Sequence, residues 1–257
     1  MGRVYNRKAV LSAAYHCKVQ SMPDMQYFQE EGRFLEHAWD VYRDYFGSRS
    51  NFVEQYKKIP NEERKNLFLM IVSGYKHLVR DGEYTLVENY QRLYISHLDQ
   101  TYKFISIMSL IEAMFADEEY VDFYQWLTKR KHRRLIFPIA DAQALEDLYR
   151  EYKLNFGAKR AVRFFSELDE AAQSFLATRI KINNRYNPAE IVAQKLYTIR
   201  SEFVHQARVI LELNDGLMYS QRGGNMIYSM LSLKDLQLLF EHGILYHFCM
   251  NPDYRKI

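Results

Sequence analysis

The chain has 257 residues, 48% apolar and 26% charged, with a net charge of +3. That balance excludes a disordered chain, and the charge is too small to announce nucleic-acid binding by itself. Five prolines and ten glycines supply few turns for a strand-rich fold, so helices are favoured. The two cysteines, Cys17 and Cys249, lie near opposite ends and fit free thiols in a reducing compartment.

No uncharged apolar stretch reaches the length of about eighteen residues that a membrane span needs. The best candidate, Phe104 to Ala116, is interrupted by Glu112. The apolar run Ala9 to Tyr15 meets His16 and Lys18 too soon for a signal peptide, and Asn6 stands where a myristoylated start wants Ser or Thr. The expectation is a soluble, cytoplasmic protein with no membrane contact.

In chain order, Phe34, His37, Ala38, Val41, Tyr42 and Tyr45 fall at three- and four-residue steps and predict a first amphipathic helix, broken at Gly47-Ser48-Arg49-Ser50. A second helix is predicted from Glu62 to Val79, after Pro60-Asn61 and before Asp81-Gly82. A third begins near Thr85 and runs past His97. A fourth starts around Asp99 and places Ile107, Met108, Ile111, Met114 and Phe115 on one face. Glu112 sits at the margin of that stripe. It is either solvated at the edge of the core or paired with a buried cation, because burying it alone costs several kcal/mol.

Tyr120 to Leu127 continues an aromatic helical stretch that ends in Lys129-Arg130-Lys131-His132-Arg133-Arg134, the densest basic run in the chain. A solvated helix end and a phosphate-contacting patch are both open readings, and Lys129, Arg130, Lys131, Arg133 and Arg134 are the candidate RNA contacts. Phe156 to Phe165 reads as a loop feeding an amphipathic helix. Asn187 is a candidate N-cap, with Pro188 at the first helical position of a helix that turns Val192, Leu196, Ile199, Phe203 and Ile210 inward. Val209 to Leu213 and Met226 to Leu231 are β-capable, with Asn214-Asp215-Gly216 and Gly223-Gly224 as turns. They predict a small hairpin near 209–231. Ser232 caps a final helix, with Asp235 at the capping-box distance.

The most specific chemistry lies in Leu196-Tyr197-Thr198-Ile199-Arg200-Ser201-Glu202-Phe203-Val204-His205. A fixed cation near an imidazole, whose ordinary titration lies near neutrality, suits work on a phosphodiester. On an ideal helix Arg200 and His205 are about 140° apart, too far round to meet one small ligand without help. A second copy of the helix would bring residues flanking the seam together, so the geometry favours a dimeric site.

The string Tyr197-x-x-Arg200-Ser201-x-x-Val204-His205 resembles the HEPN superfamily, whose hallmark is Arg, four to six residues, then His. The Arg-Ser form with an apolar residue before His looks most like its ApeA-like branch. The earlier helix Ile107 to Phe115 with Glu112 and the segment Lys159 to Phe165 fit the same resemblance, which spans roughly residues 85 to 248. Gln206 departs from the branch, where glycine often follows the histidine.

The resemblance implies a mainly α, HEPN-like helical bundle at 85–257, with extra N-terminal helices at 1–84 that belong to the same core or form a control element. It implies a metal-independent endoribonuclease without cofactor, acting on RNA as a homodimer in a prokaryotic defence or toxin context, sometimes under a regulatory protein partner. Arg200 and His205 would be catalytic, with Ser201, Glu112 and Tyr197 supporting. The alternative is a non-cleaving interaction or dimerisation module that binds a protein or RNA. His242, His247 and Cys249 form an H-x4-H-x-C string whose spacing matches no zinc pattern, so packing is the preferred reading.

Overall fold

The computed structural model describes residues 26–82, 92–115, 123, 126–127, 142–152, 158–206, 213, 218–222 and 224–254. The basic run Lys129 to Arg134, the run Ala9 to Tyr15, Cys17, most of Tyr120 to Leu127 and the start near Thr85 lie outside them. The described chain is mainly helical with one small antiparallel sheet. Its elements are α1 (Gln26–Gln29), α2 (Glu31–Tyr42), α3 (Arg49–Lys57), α4 (Glu62–Tyr75), α5 (Arg92–Met114), α6 (Ala142–Tyr152), α7 (Lys159–Ser166), α8 (Glu170–Arg179), β1 (Ile180–Ile182), β2 (Arg185–Tyr186), α9 (Ala189–Gln206), β3 (Met218–Arg222), β4 (Asn225–Ser229) and α10 (Leu233–His247).

The first helix forms where its stripe predicts, and Ala38, Val41, Tyr42 and Tyr45 are buried. Ser48 ends the break and caps α3, its Oγ accepting from the Asn51 amide at 3.2 Å. Asn61 caps α4 in the same way, Oδ1 accepting from Arg64 at 2.7 Å. The predicted helix to Val79 is α-helical only as far as Tyr75, and Lys76–Arg80 form a π turn. That wider turn lets Arg80 Nη1 donate to the carbonyls of Asp40 and Val41 at 2.9 and 2.7 Å, which satisfies two orphan acceptors at the end of α2.

Asp99 does not start a new helix. The chain is helical from Arg92 to Met114 without interruption, so the two helices expected there are one. Asp99 is a good cap but also a good i,i+4 partner, and its carboxylate lies 3.0 Å from Lys103 Nζ. With both termini of that pair inside the helix and Thr101 and Phe104 fully buried, tertiary packing overrides the local start signal.

One apolar core runs from Ala38 to Met250 and includes residues of α2 to α5 and α7 to α10. Its densest part joins the early helices to the last one. Phe68 stacks edge-on against Phe248 at 5.3 Å, and Tyr75 lies 4.9 Å from Phe240. Within it sits a buried carboxylate, Glu241, which accepts from Tyr45 Oη at 2.7 Å and Tyr75 Oη at 2.8 Å. Gly243, two residues on, lets α10 approach α7, since a Cβ there would stand 2.3 Å from Phe164 Cζ. After α10 the chain returns to the start of α3, where Asp253 accepts from the Gly47 amide at 2.6 Å and from Asn51 Nδ2 at 2.7 Å.

The sheet has strand order β2-β1-β4-β3, antiparallel throughout. A hairpin does fall within 209–231, but its strands are 218–222 and 225–229 rather than Val209 to Leu213 and Met226 to Leu231. Residues Arg222 and Asn225 pair directly, so only two residues separate the strands, and Gly224 has φ 77°. A loop that short fixes the partner as the segment immediately before it, however modest its hydrophobicity. The more apolar run therefore loses: Leu213 lies buried in a bend, and 209–212 lie outside the described residues. A second hairpin, β1 to β2, turns through Asn183 and Asn184 at φ 51° and 63°, the left-handed pair that this tight turn requires. Asn183 then ties the hairpins together, its Oδ1 accepting from the Met226 amide at 2.9 Å and its Nδ2 donating to Asn225 Oδ1 at 2.8 Å.

Candidate functional site

Helix α9 carries most of the sequence-marked residues and packs against α5, α7 and α8. It starts one residue later than expected. Pro188 contributes only its carbonyl, which accepts from Ile191 and Val192 at 3.1 and 3.2 Å. Asn187 does not cap the helix, because its Nδ2 is turned back to the Arg185 carbonyl at 2.7 Å in the β2 turn. Val192, Leu196 and Ile199 are buried as the stripe predicts, and Phe203 is partly buried. The helix continues through Gln206, the residue that stands in place of the resembled family's glycine.

Arg200 points toward α5. Its Nη2 lies 3.1 Å from Glu112 Oε2, with the two side chains 20% and 24% exposed. Its guanidinium carbon lies 5.9 Å over the Tyr197 ring, one turn earlier on α9. Arg200 Nε is buried without a hydrogen-bond partner among the described residues. Arg160, on α7, donates from Nη1 to the Glu112 carbonyl at 3.4 Å. Burial pushes the Glu112 carboxyl up, and the nearby charges of Arg200 and Arg160 only partly offset it. Arg200 thus meets the carboxylate of Glu112 and Arg160 its backbone carbonyl.

His205 occupies the last turn of α9 and is exposed. Among the described residues no hydrogen bond joins it to Arg200. The burial along α9 follows the ideal phase: Arg200 lies toward α5, and His205 falls on the outer stripe with Ile191 and Thr198. Tyr197, Ser201 and His205 are spaced i, i+4, i+8, so they form a diagonal row beside Arg200, and Ser201 is partly buried. Next to this row, Val204 is exposed, and Tyr102 of α5 meets Phe203 edge-on at 6.0 Å. The arrangement presents a held cation and a free imidazole on one helix, separated round its circumference.

Arg160 falls within Lys159 to Phe165, and its type and spacing there give it no role. Its contact with Glu112 depends on how α7 crosses α5, which no local pattern encodes. The five basic candidates Lys129, Arg130, Lys131, Arg133 and Arg134 lie outside the described residues.

The H-x4-H-x-C string is dispersed by the fold. His242 Nε2 lies 2.8 Å from Asp169 Oδ2, the residue whose other oxygen caps α8. His247 Nε2 donates to the Phe164 carbonyl at 3.0 Å, and its ring stacks on Phe164 at 5.1 Å. Cys249 is exposed. Among the described residues no three His, Cys, Asp or Glu side chains gather in a metal-holding group, and no helix is long and apolar enough to cross a membrane. No family model, curated protein or solved structure matches the chain.

Proposed function

We propose that the chain is a metal-independent endoribonuclease of the HEPN type, working through a composite site in a homodimer, in a prokaryotic defence or toxin setting. The observation that carries this reading is Arg200: a guanidinium fixed by Glu112 and Tyr197, on the same helix as an exposed histidine. A preorganised cation of this kind stabilises charge that develops on a phosphorane without reorganising.

In the reaction, His205 takes the proton of the RNA 2′-hydroxyl as its oxygen attacks the adjacent phosphorus. The bond from phosphorus to the 5′-oxygen breaks, that oxygen takes a proton from water as it leaves, and His205 returns its proton to solvent. The products are a 2′,3′-cyclic phosphate and a 5′-hydroxyl. Arg200 holds the phosphate, and Ser201 adds a hydrogen bond to it. The roughly 140° between Arg200 and His205 supports assembly of each site from two chains.

A second reading has its own observation. Arg200 already spends one arm on Glu112, which is what a purely structural ion pair does in a non-cleaving binding module. The two readings part on cleavage of a labelled RNA in the presence of a chelator. The nuclease reading expects products ending in a cyclic phosphate, lost in His205→Ala and in Arg200→Lys. Undiminished cleavage by highly purified His205→Ala protein removes it.

A further inference from the structure

The small sheet turns one face to the core and the other to solvent. Ile180, Ile227 and Ser229 are buried on the inner face. The intervening positions form a row across all four strands: Tyr186 pairs with Lys181, Lys181 with Tyr228, and Tyr228 with Tyr219. Directly paired residues of antiparallel strands share a face, so three tyrosines and a lysine stand side by side over about 14 Å. Tyr219 is 72% exposed and Tyr186 55%. The Lys181 ammonium lies 4.6 Å over the Tyr186 ring.

A solvated sheet face ordinarily carries polar side chains. Here the Tyr186 and Tyr219 rings stand in water, and Tyr228 between them is partly buried. Of the residues that the register places on this outer face, Lys181, Tyr186, Tyr219, Gln221, Met226 and Tyr228, Lys181 alone is charged and none is Asp or Glu. An apolar partner would have no use for the Lys181 ammonium, whereas a nucleic-acid strand uses both the ring faces and the charge.

The geometry points to a binding site for single-stranded RNA on this face, with bases stacked on Tyr219, Tyr228 and Tyr186 and a phosphate met by Lys181. Duplex RNA keeps its bases stacked internally and cannot offer them to such a row. The inference deepens the ribonuclease reading by naming unpaired RNA as its substrate, and it rests on that reading for its consequence in catalysis. β2 leads directly into α9, which rises about 24 Å from Ala189 to His205. The row is therefore a positioning subsite, remote from the reacting bond.

The test measures binding of a fluorescein-labelled oligouridylate of about ten nucleotides by the full chain carrying His205→Ala, which spares the RNA. Adding Tyr186→Ala and Tyr219→Ala weakens binding by about tenfold or more with an unchanged melting temperature, and Lys181→Glu weakens it and flattens the salt dependence. With His205 intact, the tyrosine substitutions raise KM and leave kcat in place. No binding by the parent, or equal binding by the substituted chains, overturns the site. So does retained binding with loss of dimer mass, which makes the face an interface between copies. Cleavage that survives His205→Ala overturns the ribonuclease reading instead, and leaves the binding result standing.

Discussion

Arg200 and Glu112, 88 positions apart in the chain, meet at 3.1 Å between α9 and α5. Burial disfavours the Glu112 carboxylate more than the two arginines favour it, since its carboxyl is held above the usual range. The pair therefore places a cation at a cost in stability, which is characteristic of a group kept for position.

Removing Glu112 should expose that cost from the other side. Glu112→Ala leaves the partly buried Arg200 guanidinium with an open arm as well as its unpartnered Nε, and should destabilise the fold by about 2 kcal/mol, or roughly 4–8 °C in Tm. Glu112→Leu combined with Arg200→Met should recover most of that loss. The pH dependence gives the sign. A carboxyl raised in the folded state adds stability below its unfolded value, near 4.5, and that contribution is lost as pH rises through the folded value. Glu112→Gln should remove this slope from the pH profile of urea midpoints.

His247 should contribute the opposite slope. Burial lowers its imidazole, assisted by the charges of Arg163 and Arg64, while the Phe164 carbonyl and Glu167 pull the other way. Its neutral form belongs to the fold, so its stability is present above about pH 6.5 and is lost as pH falls through the lowered folded value. His247→Phe should flatten the acid limb of a thermal-melt series and cost about 1 kcal/mol at neutral pH, because the Phe164 carbonyl loses its donor.

The buried cluster around Glu241 should behave as a unit. Tyr45→Phe or Tyr75→Phe alone should each cost about 1–3 kcal/mol, and chemical denaturation of the double variant should show non-additivity. Both phenols are pushed far above the usual tyrosine range by burial and by Glu241. They stabilise the fold below about pH 10 and lose that contribution as pH rises through the folded value. Absorbance at high pH should therefore register their ionisation only with unfolding.

Gly243→Ala should act at a distance on the candidate site. The new methyl would overlap the Phe164 ring, with an expected loss of about 1–3 kcal/mol and displacement of α7. Because α7 carries Arg160, cleavage should fall with it, and Phe164→Leu should restore both by making room. Melting temperature and cleavage rate measured on the single and double variants check this.

Local signals in the sequence had local success. The Ser232–Asp235 capping box forms in both directions, at 3.0 and 3.1 Å, although Asp replaces the usual longer side chain. The stripe of α2 and the break before α3 were also readable. Asp99 was misleading because its cap preference competes with an i,i+4 lysine, and burial of the following turn decides between them. Hydrophobicity points to Val209 to Leu213 as the first strand of the β3–β4 hairpin, whereas the short connection to Asn225 selects Met218–Arg222. Glu241 gave no sign at all, since its partners come from α4 and the turn after α2, roughly 166 and 196 positions earlier. In the site, Arg200, His205 and Glu112 stood out by type and spacing, while Arg160 and the tyrosine row needed helix crossing and strand register to appear.

The central claim, that Arg200 of one chain works with His205 of its partner, is tested most directly by a purified heterodimer. Arg200→Ala and His205→Ala chains carrying different tags are co-expressed, and the doubly tagged dimer is isolated. One of its two composite sites retains both groups, so it should cleave RNA at about half the wild-type rate while each variant homodimer is silent. A doubly tagged dimer as silent as its parents would contradict the composite site.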